Sequence, residues 1–143
     1  PFELSGGQMR RVAIAGIMAS EPDILCLDEP AAGLDPRAKE EMLDLFKDYQ
    51  QAGHTVILIS HDMDDVARLA DAVLVMQKGR LIRQATPAAL FQDTSWDKAK
   101  TLGRPQATSL AARLQRSGFR FEQLPLTVPD LAKQLAGQLR SKS

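Results

Sequence analysis

A short apolar segment that ends in two adjacent acids most constrains the fold of this chain. Residues 24–27 read Ile-Leu-Cys-Leu and are followed by Asp28 and Glu29. A run of this kind is typical of a parallel strand covered on both faces, so Cys26 is predicted to be a core residue rather than a nucleophile. Because parallel sheets bind ligands at the carboxyl ends of their strands, both acids fall at a predicted ligand-binding edge.

A second apolar run, at residues 55–60, predicts another strand, parallel to the first. Between the two runs, Asp35 followed by a proline favours the start of a helix. Strand, helix and strand form a crossover unit, which brings His61, after the second strand, to the same edge as Asp28 and Glu29. Asp28 could hold Mg²⁺, Glu29 could deprotonate a water and His61 could bind a phosphate. The simpler alternatives are that Asp28 and Glu29 form a solvated strand end, and that His61 is a hydrogen-bonded histidine at a strand end without a ligand.

The first helix is predicted over residues 5–20, and its many apolar side chains indicate that it is well buried. Ser5 and Gln8 have the spacing of a capping box, which satisfies backbone N–H groups without a ligand. Gly6 and Gly7 have no side chains, so they expose backbone N–H groups to an anion at the positive end of the helix dipole. Both interpretations can hold. The following pair of arginines is assigned to solvated helix surface.

The rest of the chain predicts short elements and then a helical tail. The predicted elements are a helix at 62–69, strands at 71–76 and 80–85 joined by a hairpin, a helix at 87–92, a polar linker at 93–106, and helices at 107–117 and 128–140. Thr127 and Asp130 resemble a capping box for the last helix.

Composition narrows the classes of partner. The chain has 143 residues, of which 44% are hydrophobic, and 18 Lys and Arg balance 18 Asp and Glu. No basic field would draw nucleic acid, so no nucleic-acid partner is expected. The single cysteine cannot form an internal disulfide, which fits a reducing compartment. The chain begins at Pro1 rather than at a methionine, beside the glycine pair, and we expect it to be the C-terminal part of a longer protein.

Four motifs together resemble those of the ABC ATPases. Leu4–Gln8 is similar to the signature motif, and Leu25–Glu29 resembles the Walker B strand with its catalytic glutamate. Ala32–Asp35 is similar to the D-loop, and Ser60–Asp62 to the switch-histidine loop. The motifs follow in the family's order, and the match extends to about residue 90.

The tail resembles the C-terminal extension of the energy-coupling-factor ATPases, which power bacterial and archaeal uptake of vitamins and of cobalt or nickel. The residues that carry this resemblance are Arg11–Gly16, Gly103–Pro105, the helix at 110–118 and Leu126–Leu131. The resemblance implies an α/β fold. Residues 1–92 would be part of a P-loop NTPase domain with parallel strands and crossover helices, and residues 93–143 a linker and small helical extension.

The resemblance also implies a role for each motif residue. Glu29 would be the general base, His61 would hold the γ-phosphate, Asp28 would serve Mg²⁺ and Asp35 would communicate across a dimer. ATP held by an opposite, identical or paralogous ATPase subunit would be contacted by Ser5, Gly6, Gly7 and Gln8. Integral membrane components would be further partners, which places the protein at the cytoplasmic face of the membrane.

The sequence has no GxxxxGK[ST] phosphate loop, which in the family lies upstream of these motifs. Because that loop supplies most phosphate contacts, we expect no turnover from this chain alone. The family's phosphate-loop strand pairs beside the His61 strand, so an open apolar edge and self-association are expected. Two alternative functions are an ABC ATPase of DNA repair or chromosome maintenance, and a non-catalytic dimerisation module built on the tail helices.

Overall fold

The computed structural model describes residues 4–93 and 102–140, and the chain divides into two compact units, residues 1–61 and 62–143. The first unit contains α1 (Gly6–Met18), β1 (Ile24–Asp28), α2 (Pro36–Gln51) and β2 (Thr55–Ile59). The second contains α3 (Met63–Leu69), β3 (Val73–Gln77), β4 (Arg80–Ala85), α4 (Pro87–Gln92), α5 (Gln106–Arg116) and α6 (Val128–Arg140). Within the described residues, no helix is both long and apolar enough to cross a membrane.

The first unit is built on the predicted parallel strand pair. β1 lies beside β2 with Ile24 opposite Thr55 and Asp28 opposite Ile59. Further hydrogen bonds extend the ladder, with the Thr55 amide donating to the carbonyl of Asp23 at 2.8 Å. The helix α2 connects the two strands, so the crossover unit that the sequence predicts is confirmed.

One face of this strand pair is buried. Leu25 and Leu27 of β1 are 2% and 6% exposed, and α2 contacts β2. The buried side chains of α2 are those of Ala38, Met42, Leu43 and Phe46. Their spacing of three and four residues forms one apolar stripe along the helix, so this stripe is the core-facing side of α2.

The opposite face of the strand pair is exposed, and the prediction that both faces are covered is wrong. Ile24 is 61% exposed, Ile57 48% and Ile59 52%. Cys26 is exposed too, which corrects its assignment to the core. Because side chains alternate along a strand, these residues share the side away from Leu25, where the described part of this unit places no covering layer.

The helix α1 is also less buried than its composition predicts. Ile14 is its only buried residue, although every residue of the helix is described. Val12 is 60% exposed and Ile17 is 51% exposed. An apolar residue is buried only where another element packs on it, and in this unit α1 meets such a surface along a narrow stripe.

An aromatic pair closes the end of the first unit where the strands begin. The Tyr49 ring stacks on His54 with ring centroids 4.0 Å apart. The Tyr49 hydroxyl donates to the carbonyl of Pro22 at 2.8 Å, and Nδ1 of His54 lies 3.1 Å from the same oxygen. Desolvation, and then the carboxylates of Glu21 and Asp23, raise the pKa of Tyr49 above its usual value.

The second unit contains an antiparallel hairpin. β3 and β4 pair through a tight turn in which Lys78 and Gly79 have φ values of 50° and 73°. Two successive left-handed residues are typical of a type I′ hairpin. Beneath it lies a core cluster of Val75, Leu90 and Phe91.

The two tail helices have a core of their own. Its buried members are Ala107, Ala111, Phe121 and Leu131. Thr127 caps α6 as predicted, with its Oγ1 2.6 Å from Asp130 Oδ2 and accepting from the Asp130 amide at 3.3 Å. Residues 94–101 of the predicted linker lie outside the described residues, and a domain boundary at residue 93 stays a prediction.

Candidate functional site

The turn after β1 places Glu29 at the carboxyl end of both parallel strands. Its amide donates to the carbonyl of Ile59, the last residue of β2, at 3.0 Å. The φ angle of Glu29 is 45°, in the left-handed region that residues other than Gly, Asn and Asp adopt rarely. The chain therefore turns sharply out of the strand at Glu29 while its backbone is still bonded to β2.

One carboxylate oxygen of Glu29 is bound by two groups of His61. The backbone N–H of His61 donates to Glu29 Oε1 at 3.0 Å, and the ring Nδ1 lies 2.6 Å from the same oxygen. When the carboxylate is ionised, an Nδ1–H donates to it, and the short contact is a charge-assisted hydrogen bond. The structure thus brings together the acid and the imidazole that the sequence places at one sheet edge.

Asp28 provides an exposed side chain immediately before Glu29 in the chain. It is the last residue of β1 and lies opposite Ile59 in the ladder. Among the described residues, no group of three or more His, Cys, Asp or Glu side chains could hold a metal ion. Mg²⁺ at a nucleotide commonly takes one or two carboxylates, and its other ligands are phosphate oxygens and water. A single exposed carboxylate fits that donor set.

The start of α1 forms the predicted capping box. The Ser5 amide donates to Gln8 Oε1 at 2.8 Å, and the Gln8 amide donates to Ser5 Oγ at 3.3 Å. Among the described residues, a Cβ added at Gly6 would have no neighbour within 4 Å, so they leave this turn open to an approaching group. The capping interpretation is confirmed, and anion binding by Gly6 stays a prediction.

Gly7 allows a close approach between α1 and the turn that leads to α2. A Cβ on Gly7 would lie 2.8 Å from Leu34 Cδ2. In the same turn Gly33 has a φ of 74°, and Asp35 Oδ1 accepts from the Ala38 amide at 3.0 Å. Asp35 is therefore the N-cap of α2, as predicted, while its part in communication across a dimer stays a prediction.

Arg10 joins α1 to the same turn through a contact that its sequence pattern does not predict. Its Nη1 donates to the carbonyl of Glu29 at 3.2 Å and to the carbonyl of Ala32 at 2.6 Å. Arg10 is exposed, as predicted, but its guanidinium is also bound to the backbone of this turn. Its neighbour Arg11 forms an exposed ion pair, 3.6 Å from Glu41. No local pattern separates the two arginines, because the partners of Arg10 are backbone carbonyls brought close by tertiary folding.

Comparison with known proteins finds close relatives over nearly the whole chain. In Lactobacillus gasseri, the energy-coupling factor transporter ATP-binding protein EcfA2 is 56% identical over 142 residues, which is 99% of this chain and 49% of that protein. A protein of the same name in Enterococcus faecalis is 52% identical over 98% of this chain and 49% of its own length. Over nearly its whole length, the chain is similar to these ATP-binding proteins. It spans about half the length of these curated relatives.

Two further comparisons agree with an ATPase fold. A family model described as "AAA domain, putative AbiEii toxin, Type IV TA system" matches residues 1–64. A solved dimer of the ATP-binding cassette MJ0796, in a post-hydrolysis state bound to ADP and Pi, is 34% identical with a TM-score of 0.56. That match covers 61% of this chain and 38% of the solved one. The predicted α/β fold of an ABC ATPase domain is thereby confirmed.

Proposed function

We propose that this chain carries the hydrolytic half-site of an energy-coupling factor ATPase that couples ATP binding and hydrolysis to uptake across a membrane. The observation that carries the proposal is the contact between Glu29 and His61 at the carboxyl ends of two parallel strands. It is supported by relatives at 52–56% identity that are named as ATP-binding proteins of such transporters.

Glu29 is the proposed general base. Its Oε1 is held by two donors of His61, so the orientation of the carboxylate is fixed, and Oε2 is the oxygen that would accept the proton of the attacking water. General-base assistance of this kind contributes about 10²–10⁴-fold to a rate. His61 would hold the γ-phosphate through its imidazole, and its hydrogen bond to Glu29 would link phosphate binding to the position of the base.

Asp28 would hold Mg²⁺, directly or through water. The ion supplies charge neutralisation for the β- and γ-phosphate oxygens when it is bound. The start of α1 would contact the γ-phosphate of ATP held by an opposite ATPase subunit, through Ser5, Gly6, Gly7 and Gln8. Backbone N–H groups and the positive end of the helix dipole suit that anion. Asp35 would communicate across the dimer with the ATP site of the opposite subunit.

The assembly would pair two ATPase subunits and dock them on integral membrane components at the cytoplasmic face of the membrane. The relatives' names favour this function over DNA repair and over a purely dimerising module. A vitamin or a transition-metal ion is the expected cargo, and the described site contains no group that selects between them. Without a GxxxxGK[ST] loop, this chain alone should neither bind ATP usefully nor hydrolyse it.

The test is a chimera in which this chain replaces the matching half of the Lactobacillus gasseri relative. We expect the chimera, assembled with its transporter partners, to hydrolyse ATP, and Glu29→Gln to lower kcat about 10²-fold or more. The matched control is Glu40→Gln, the same isosteric change on the exposed side of α2, which should leave kcat unchanged. An active chimera whose turnover survives Glu29→Gln would contradict the assignment of the base.

A further inference from the structure

Arg10 links α1, whose start would contact the nucleotide of the opposite subunit, to the turn after β1, which contains the proposed base Glu29. We propose that Arg10 is a positioning residue for the reaction, an inference that rests on the proposed ATPase function. Its guanidinium Nη1 donates to the backbone carbonyls of Glu29 and Ala32. It therefore holds the main chain of the base, and of the turn beyond it, without touching the reacting atoms.

The backbone of Glu29 is fixed from both sides. Its amide is bound by the carbonyl of Ile59 at 3.0 Å, and its carbonyl accepts from the Ala32 amide at 3.2 Å as well as from Arg10. The left-handed φ of 45° makes this conformation unfavourable for a glutamate by itself. A conformation of this kind persists only where its surroundings enforce it, and the Arg10 side chain contributes a donor to the Glu29 carbonyl for that purpose.

The guanidinium suits this task. It is always charged, so its hydrogen bonds to both carbonyls are charge-assisted at any working pH. A planar group also fixes direction better than a flexible ammonium does. Since both carbonyls accept from a single nitrogen, the ammonium of an Arg10→Lys variant could still reach both of them with two of its three N–H donors, although less rigidly.

This contact couples the position of α1 to the position of Glu29. The same helix starts with the open turn at Gly6 and presses Gly7 against Leu34 of the D-loop. A movement of α1 on meeting a partner-bound phosphate would therefore move Glu29 and the D-loop together. Through Arg10, the alignment of Glu29 in this subunit's own site would depend on whether the turn at Gly6 is bound to the nucleotide of the opposite subunit.

The first test measures steady-state ATP hydrolysis by the chimera described above. We expect Arg10→Ala to lower kcat about tenfold to a hundredfold, since small misplacements of a catalytic group have effects of this size. KM for ATP should change by less than about twofold, because Arg10 contacts no nucleotide-binding group. Arg10→Lys should restore most of kcat. The matched control is Arg37→Ala, which removes an arginine whose side chain is 90% exposed and pairs with Glu41.

The second test follows amide hydrogen exchange in the 143-residue chain itself. In Arg10→Ala the amide of Ala32 should exchange faster, whereas in Arg37→Ala it should not. An active chimera with unchanged kcat in Arg10→Ala would overturn the inference, and so would equal losses in both alanine variants. If the unsubstituted chimera hydrolyses no more ATP than its Glu29→Gln variant, the proposed function fails, and exchange at Ala32 alone decides whether Arg10 positions the turn.

Discussion

At the scale of single residues, Tyr49 offers a pH-dependent contribution to stability that can be measured by itself. Its hydroxyl donates to the carbonyl of Pro22, and its pKa is raised above 10.0 by desolvation and by Glu21 and Asp23. A raised pKa in the folded state means that folding favours the protonated phenol. That contribution is complete below the unfolded-state pKa and is lost as pH rises through the folded-state value.

We therefore predict that the free energy of unfolding decreases above about pH 10 more steeply in the parent chain than in Tyr49→Phe. Denaturant titrations between neutral and alkaline pH measure this difference. Tyr49 is the only tyrosine, so phenolate absorbance reports its titration directly. His54→Phe, which preserves an aromatic ring beside Tyr49, is the control and should keep the steep alkaline loss. An absorbance titration at the ordinary tyrosine pKa would contradict the prediction.

The sequence was enough to predict part of the site, and the reasons are specific to each residue. The meeting of Glu29 and His61 follows from strand direction, because two parallel strands must end at one edge. The cap formed by Asp35 is a local interaction, so its sequence pattern suffices. The partner of Arg10 is different, because it depends on how closely α1 approaches a turn whose shape is set by a left-handed glutamate. Neither the approach of α1 nor the left-handed φ of Glu29 can be predicted from a periodic or local sequence pattern.

At the scale of elements, two of the three glycines of α1, Gly7 and Gly16, should respond differently to the same substitution. Among the described residues a Cβ at Gly16 would meet nothing within 4 Å, whereas one at Gly7 would lie 2.8 Å from Leu34 Cδ2. We predict that Gly16→Ala raises the free energy of unfolding by about 0.5–1 kcal/mol, because alanine is the better helix former. Gly7→Ala should gain less or lose stability, since Leu34 must move.

Thermal or denaturant unfolding of the two variants measures this contrast, and each is the control for the other. Equal stabilisation by both substitutions would show that α1 does not press against the turn. The test also bears on function, because an altered α1 in Gly7→Ala should disturb the D-loop while leaving the capping box at Ser5 intact.

Strand and helix limits were largely predictable, but burial was not. The pattern predicted β1 correctly, because a short apolar run between turn residues has few alternatives. It could not reveal that Ile24 and Cys26 face outward, since both faces of the run are apolar. In α2, Leu43 is buried whereas Leu45 is 42% exposed. Adjacent apolar residues blur the phase of a helix, and packing decides between them.

At the scale of the whole molecule, the exposed side of the first strand pair predicts self-association of the chain. Cys26 lies opposite Ile57 in the ladder, and both face outward beside Ile59. An apolar surface next to unpaired strand edges is a favourable site for association. We predict that sedimentation shows larger species as concentration rises, and that Cys26 becomes less reactive toward a water-soluble maleimide over the same range.

Ile57→Lys should abolish both effects. The control is Leu74→Lys, which changes a residue that is 58% exposed on the hairpin of the other unit, and it should leave association unchanged. A chain that stays monomeric at every concentration would reject the hypothesis. Loss of association in Leu74→Lys but not in Ile57→Lys would place the contact on the β3–β4 hairpin and contradict the prediction.

The left-handed backbone at Glu29 has a consequence for paired subunits. Glycine, asparagine and aspartate tolerate such a φ best, while valine, isoleucine and threonine tolerate it poorly. Substitution of Glu29 by asparagine or glycine would thus remove the proposed base and relax the turn at once. If the chain works in an ATPase pair, as proposed, one copy could lose catalysis after gene duplication and still fold, which would leave an assembly with a single working site.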